Sequence, residues 1–297
     1  MSAAPGRPKQ ARTEGEAEGT PVSGAARLPA GSCDCHFHVF EAARYPYAEG
    51  RHYTPPDAPL SAYLAMCASL GIERGVLVHP TVFGADHRSF EDILAAHPQR
   101  LRGVAVVSPD TPEADIARWH ALGARGTRVT TIFQGPDLGR IREIVARVKP
   151  FGWHLQILVD VVNHPHLVAQ VRDLGMAVVA DHMGHHDAQA LLASRGFANL
   201  RAQLLAGEVW TKLSAPYRIS VDSGRDPLVG EVAQALLRAN ASRVVWGSDW
   251  PHPTSPHPVP SDERLAALAL EWLPDEATRQ AVLVRNPQRL YWGDGAD

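Results

Sequence analysis

SRVVWGSD, residues 242–249, is the run on which the reading of the fold turns. It is a short β-branched stretch that ends in Ser-Asp, and five prolines follow it between Pro251 and Pro260. Directly upstream, DPLVGEVAQALLRAN (226–240) repeats apolar residues three and four apart, the mark of an amphipathic helix. Working back towards the N-terminus, the same alternation of strand-like and helix-like segments recurs. The strand-like runs are CDCHFHV (33–39), RGVLVHP (74–80), LRGVAVV (101–107), ARGTRVT (124–130), HLQILVD (154–160), MAVVADH (176–182) and EVWTKLS (208–214). Strands separated by helices imply right-handed parallel crossovers, and eight of them imply a closed (β/α)8 TIM barrel over residues 31–297. An open doubly wound sheet is the competing arrangement, but no Gly-X-Gly-X-X-Gly turn follows the first strand.

Residues 1–30 are rich in Ala, Gly, Pro and mixed charge and have no apolar period, so they are read as a disordered tail. The tail has no apolar signal core, and its three glutamates argue against a transit peptide. The 297 residues are 45% hydrophobic and 21% charged, with a net charge of −3. That balance gives no reason to expect a nucleic acid or a membrane as partner. No run approaches the roughly 20 apolar residues that cross a bilayer, and three cysteines make no disulfide framework, so a cytoplasmic enzyme is expected.

A barrel of this kind gathers its active site at the C-terminal strand ends. Those ends carry His36 and His38, His79, Arg128, Asp181 and His182, Ser214, and Asp249. Period-two alternation in the first strand places Asp34, His36 and His38 on one face and Cys33, Cys35 and Phe37 on the other. Imidazoles and carboxylates are costly to bury idle, so their recurrence at several strand ends points to one polar mouth. Gln156 is expected to hydrogen-bond inside the barrel. Gly184-His185-His186 is read as a solvated loop.

Five motifs, DCHFHVF, GWHLQILVD, VVADHMG, KLSAPYR and WGSDWPHP, together resemble the amidohydrolase superfamily. Within it they resemble the branch that holds lactonases of 2-pyrone-4,6-dicarboxylate and of sugar acids. The resemblance runs from about residue 31 to NPQRLYW (286–292). It implies a hydrolase that opens a small anionic lactone, with Asp249 as general base and His182, His36 and His38 polarising the carbonyl. Arg128 and Arg218 match positions that grip substrate carboxylates, and Tyr53 and Thr81 match hydroxyl contacts. A further arginine of the branch falls on Gln134, and a tyrosine of the fifth strand falls near Leu158, which leaves room for a lactone other than the pyrone dicarboxylate. Strands four and five lack the ligands of a binuclear centre, and the branch resembled works without a catalytic metal, so none is expected to be required. A single zinc ion, if bound, would take His36, His38, His182 and Asp249. The other expectation carried by the same residues is a zinc-dependent decarboxylase of the superfamily, acting on an aromatic or enoic acid.

Overall fold

The structure, a computed structural model, describes residues 27–133, 135 and 138–293. Its strands are β1 (Cys33–Phe37), β2 (Arg74–Val78), β3 (Leu101–Ala105), β4 (Ala124–Thr130), β5 (His154–Leu158), β6 (Val178–Ala180), β7 (Val209–Leu213) and β8 (Val244–Trp246). All eight expected strands are present, in one sheet ordered β1 to β8, and every neighbouring pair is parallel. Most stop short of their expected C-terminal bound, because the chain leaves the ladder there to present the residues at the strand ends. The crossovers are α1 (Leu60–Leu70), α2 (Arg88–Ala96), α3 (Glu113–Leu122), α4 (Ile141–Val148), α5 (Leu167–Arg172), the pair α6 (Ala188–Ala193) and α7 (Arg195–Leu205), and α8 (Pro227–Asn240). The last begins as its sequence dictates: the Asp226 carboxylate accepts from Leu228 N–H at 2.9 Å, and Pro227 stands in the first turn, where its missing N–H costs nothing. No helix among the described residues is long and apolar enough to cross a membrane.

The barrel closes between β8 and β1 through backbone just beyond β8. Asp249 N–H donates to His36 O and His38 N–H to Trp250 O, both at 2.8 Å. The Asp34 carboxylate latches this seam, accepting from Ser248 N–H at 2.9 Å, the Ser248 hydroxyl at 2.5 Å, His36 N–H at 3.0 Å and the Tyr63 hydroxyl of α1 at 3.2 Å. Burial pushes its pKa up to about 6 despite those donors.

The two faces assigned to β1 from period-two alternation need correction. Cys33 and Cys35 pack in the barrel interior with Val76, Val245 and Tyr291, whereas Phe37 lies outside, stacked on Tyr63 with centroids 3.6 Å apart. Asp34 faces Tyr63 as well. The register between β1 and β2 shifts between Asp34 and Phe37. Such an irregularity inserts a residue out of phase, so Cys35 and His36 both reach the interior. Of the tail expected over 1–30, residues 1–26 lie outside the described residues. Leu28 is buried and donates its N–H to Leu70 O at 2.8 Å, so the chain has joined the core before residue 31.

Candidate active site

Gly247 lets β8 meet β1: a Cβ there would stand 2.7 Å from the Cβ of His36. That close approach carries the following Asp249 to the barrel mouth. Asp249 is buried at φ 61°, and its two carboxylate oxygens have different surroundings. Oδ2 accepts from the Tyr217 hydroxyl at 2.7 Å and from Arg218 Nε and Nη2 at 3.2 and 3.1 Å. Oδ1 has no hydrogen-bond partner and faces three imidazoles: His38 Nε2 at 3.5 Å, His36 Nε2 at 3.6 Å and His182 Nε2 at 3.9 Å. The four residues read as a site from their strand ends therefore do converge.

The other ring nitrogens are held individually. His38 Nδ1 lies 2.7 Å from Val78 O, an acceptor only, so that nitrogen carries a proton. His182 Nδ1 lies 2.8 Å from Ser214 Oγ, and His36 Nδ1 lies 3.3 Å from Lys212 Nζ. Burial, then the neighbouring Lys212 ammonium, drives the His36 imidazole down to about 3, and burial drives His182 well below the usual histidine range. For Asp249 burial works in the opposite sense, but His182, Arg218 and His38 together hold its carboxyl well below the usual range.

Beneath this cluster runs a buried polar layer in which Gln156 hydrogen-bonds inside the barrel as expected, joined to Asp181 and Lys212, which the sequence reading did not place there. Asp181 accepts from Gln156 Nε2 at 2.9 Å and pairs with Lys212 Nζ at 3.3 Å and Arg128 Nε at 3.2 Å. Lys212 Nζ also donates to Gln156 Oε1 at 2.7 Å. The available signal was a lysine and an aspartate in otherwise apolar runs, VWTKL and VVAD, whose burial demands partners.

Arg218 is not a free clamp at the rim. It is nearly buried, and besides Asp249 it donates to Pro253 O at 2.6 Å. Arg128 does face the pocket. Its Nε, though 3.2 Å from Asp181, makes no aligned hydrogen bond. Tyr53, Thr81, Leu158 and Phe133 complete the wall. The enclosed space is about 30 Å³, room for one or two waters. Across Thr81 and Val106 it adjoins a more open cavity of about 510 Å³. His79 is not in the pocket; it stacks on His87 at 4.1 Å. His186 pairs with Asp160 at 2.9 Å, while His185 is half-buried, 6.1 Å from the His182 ring. Gln134 lies outside the described residues.

The non-glycine residues with positive φ among the described residues are His182, Met183, His185, Ala215, Asp249, His252 and Thr254. All follow β6, β7 or β8. Such conformations cost about 1–3 kcal/mol each and persist only where the surroundings over-determine them.

A metal ion fits the donor set in part. Donor atoms of His36, His182 and Asp249 lie within 4.8 Å of one another, and both His36 Nε2 and Asp249 Oδ1 are buried and unpartnered. Charge works against a dication: even with the imidazoles neutral, Arg128, Arg218 and Lys212 face only Asp181 and Asp249. The surplus favours an anion.

The amidohydrolase family profile matches residues 33–292, and the chain belongs to that family. The chain is 35% identical over 280 residues to a 2-pyrone-4,6-dicarboxylate hydrolase of Comamonas testosteroni, covering 90% of this chain and 92% of the relative. It is 34% identical to a 4-sulfomuconolactone hydrolase of Rhizobium radiobacter, with 93% and 94% covered. A crystal structure from Pseudomonas putida, named for a 2-pyrone-4,6-dicarboxylic acid hydrolase, superposes with a TM-score of 0.78 at 32% identity, covering 91% of this chain and 100% of that one.

Proposed function

We propose that this chain hydrolyses a lactone that bears a carboxylate or a similar anionic group. One observation carries the reading: Asp249 has one oxygen fully bonded and the other bare among three imidazoles, in a pocket whose wall holds the Arg128 guanidinium. The names of the relatives, enzymes acting on dicarboxylate and sulfonate lactones, support the same class.

In this reading a water sits between Asp249 Oδ1 and His38 Nε2, which are 3.5 Å apart with an open side towards the cavity. With its proton on Nδ1, His38 offers Nε2 as an acceptor and turns the water for attack. The water oxygen bonds to the lactone carbonyl carbon as Asp249 takes its proton, and His36 and His182 donate to the developing oxyanion. The carbonyl re-forms, the ring C–O bond breaks, and the leaving oxygen takes the proton from Asp249. Arg128 holds the substrate anion, and that negative charge offsets the cations which depress the base. A divalent ion, were one bound, would be held by His36, His38, His182 and Asp249 and would supply Lewis-acid polarisation of the carbonyl.

The test is ring opening of carboxylated and sulfonated lactones, followed by loss of ring absorbance, beside release of carbon dioxide from aromatic and enoic acids. Carbon dioxide release without lactone opening would move the chain to the decarboxylase reading.

A further inference from the structure

We propose that Lys212 is a positioning residue that fixes His36 as its Nε2–H tautomer, making His36 a hydrogen-bond donor at the mouth rather than a cation ligand. Only the kinetic consequence rests on the hydrolytic reading above; the tautomer follows from the geometry beneath the site.

An ammonium has three donors and no acceptor. Lys212, fully buried in the barrel interior, has three acceptors within reach: Gln156 Oε1 at 2.7 Å, Asp181 Oδ1 at 3.3 Å and His36 Nδ1 at 3.3 Å. Two protons are directed at Gln156 Oε1 and, provided that His36 Nδ1 offers a lone pair, at His36, while Asp181 Oδ1 is an ion-pair neighbour that accepts no aligned hydrogen bond. The competing arrangement has His36 Nδ1–H donating to Asp181 Oδ1, 3.5 Å away. It would point a ring proton and a lysine proton at the same nitrogen region, across the longer of the two contacts of that nitrogen. With Nδ1 as acceptor, the one proton of neutral imidazole is on Nε2, the atom that faces Asp249 Oδ1.

His38 is held the opposite way, by a carbonyl on its Nδ1. The two histidines of one Cys-His-Phe-His stretch are thereby given complementary roles, one donating and one accepting. A protonated Nε2 on His36 also removes a lone pair from the donor set that a metal ion would need.

The experiment is ¹⁵N NMR of the full chain labelled at histidine, which requires no substrate. The His36 and His38 signals are assigned by their loss in His36→Asn and His38→Asn. The wild type should show His36 with Nδ1 unprotonated and Nε2 protonated, and His38 with the reverse. A wild-type His36 carrying its proton on Nδ1 overturns the inference, whatever the protein hydrolyses. In Lys212→Met, which keeps the chain length and removes the donors, the His36 pattern should shift towards Nδ1–H. If that variant folds by circular dichroism and its His36 pattern is unchanged, Lys212 does not set the tautomer. In the lactone assay, the same variant should lose about ten- to a hundredfold in kcat with KM within a few-fold, the signature of a donor that acts on the transition state. Zinc bound after equilibrium dialysis should rise in Lys212→Met relative to wild type; equal zinc in both would count against the lone-pair argument.

Discussion

Arg218→Met separates the two arginines that a reading of strand ends treats alike. Arg218 spends Nε and Nη2 on Asp249 Oδ2, at 3.2 and 3.1 Å, and its side chain is only 4% exposed. Methionine keeps the length and removes both bonds, leaving a buried carboxylate with the Tyr217 hydroxyl alone. Breaking a buried pair from one side costs about 3–5 kcal/mol. For a domain of this size that lowers Tm by about 6–20 °C. Because the damage reaches catalysis through the base, kcat/KM should fall by a similar factor for neutral and anionic lactones. Arg128→Met is the contrast. That side chain faces the pocket and touches Asp181 only through Nε at 3.2 Å without hydrogen-bond alignment, and Asp181 keeps Lys212 and Gln156, so its loss should lower Tm by less than the loss of Arg218 does. A charge-assisted hydrogen bond contributes about 1.5–3 kcal/mol, so kcat/KM for an anionic lactone should drop about ten- to a hundredfold and a neutral one hardly at all. The assay is thermal denaturation beside steady-state kinetics on a matched ester and acid pair of lactones. Arg218→Met with unchanged Tm and a loss confined to the anionic substrate would refute the assignment and return Arg218 to the role of a substrate clamp.

Asp249→Asn preserves shape and removes the base, so kcat should fall by about 10²–10⁴ with KM little changed, measured on the best lactone. Exhaustive chelation should leave turnover intact, because the three cations Arg128, Arg218 and Lys212 face two carboxylates; activity lost on chelation and regained with zinc would favour the metal-dependent alternative. The seam carboxylate predicts a pH effect on stability. Its folded pKa of about 6 exceeds the ordinary 3.8, so the folded state binds the extra proton between those values and stability falls as pH rises through them. Relative to Asp34→Asn, the wild type should gain about 2 kcal/mol as pH drops from 6 to 4 in denaturant titrations, and a flat difference would show that Asp34 is not desolvated.

The barrel was legible because eight apolar runs alternate with 3.6-period segments, and burial on both faces of a parallel sheet leaves that trace in composition. The convergence of His36, His38, His182 and Asp249 was legible for a related reason: strand ends of one barrel share one mouth. The β1 irregularity left no trace, since a register shift is a property of pairing with β2 and strict alternation is blind to it. The allegiance of Arg218 was equally hidden. Its partner Asp249 lies 31 residues away, just beyond β8, and the pairing of β7 with β8 brings the two together. Lys212 could have been found by asking what a lysine in VWTKL was doing, but its three acceptors come from three other strands.

Among the described residues the strained backbone is confined to the loops after β6, β7 and β8, whereas Tyr53, Thr81 and Phe133 sit on those after β1, β2 and β4 and Arg128 in β4 itself. Apart from His36 and His38, which come from the first strand and its end, the proposed base and its partners thus lie on one arc of the ring and the remaining pocket wall on the other. The strained arc tolerates little exchange, because each left-handed residue is held by neighbours fitted to it. The opposite arc has no such residue among those described, so its loops can lengthen, shorten or change composition while the base and its imidazoles stay in place. A lineage built on this ring could change which anion it recognises by drifting along one side alone. A designer seeking a new substrate should likewise randomise the segments after β1 to β4, sparing His38, and leave the arc from β6 to β8 untouched.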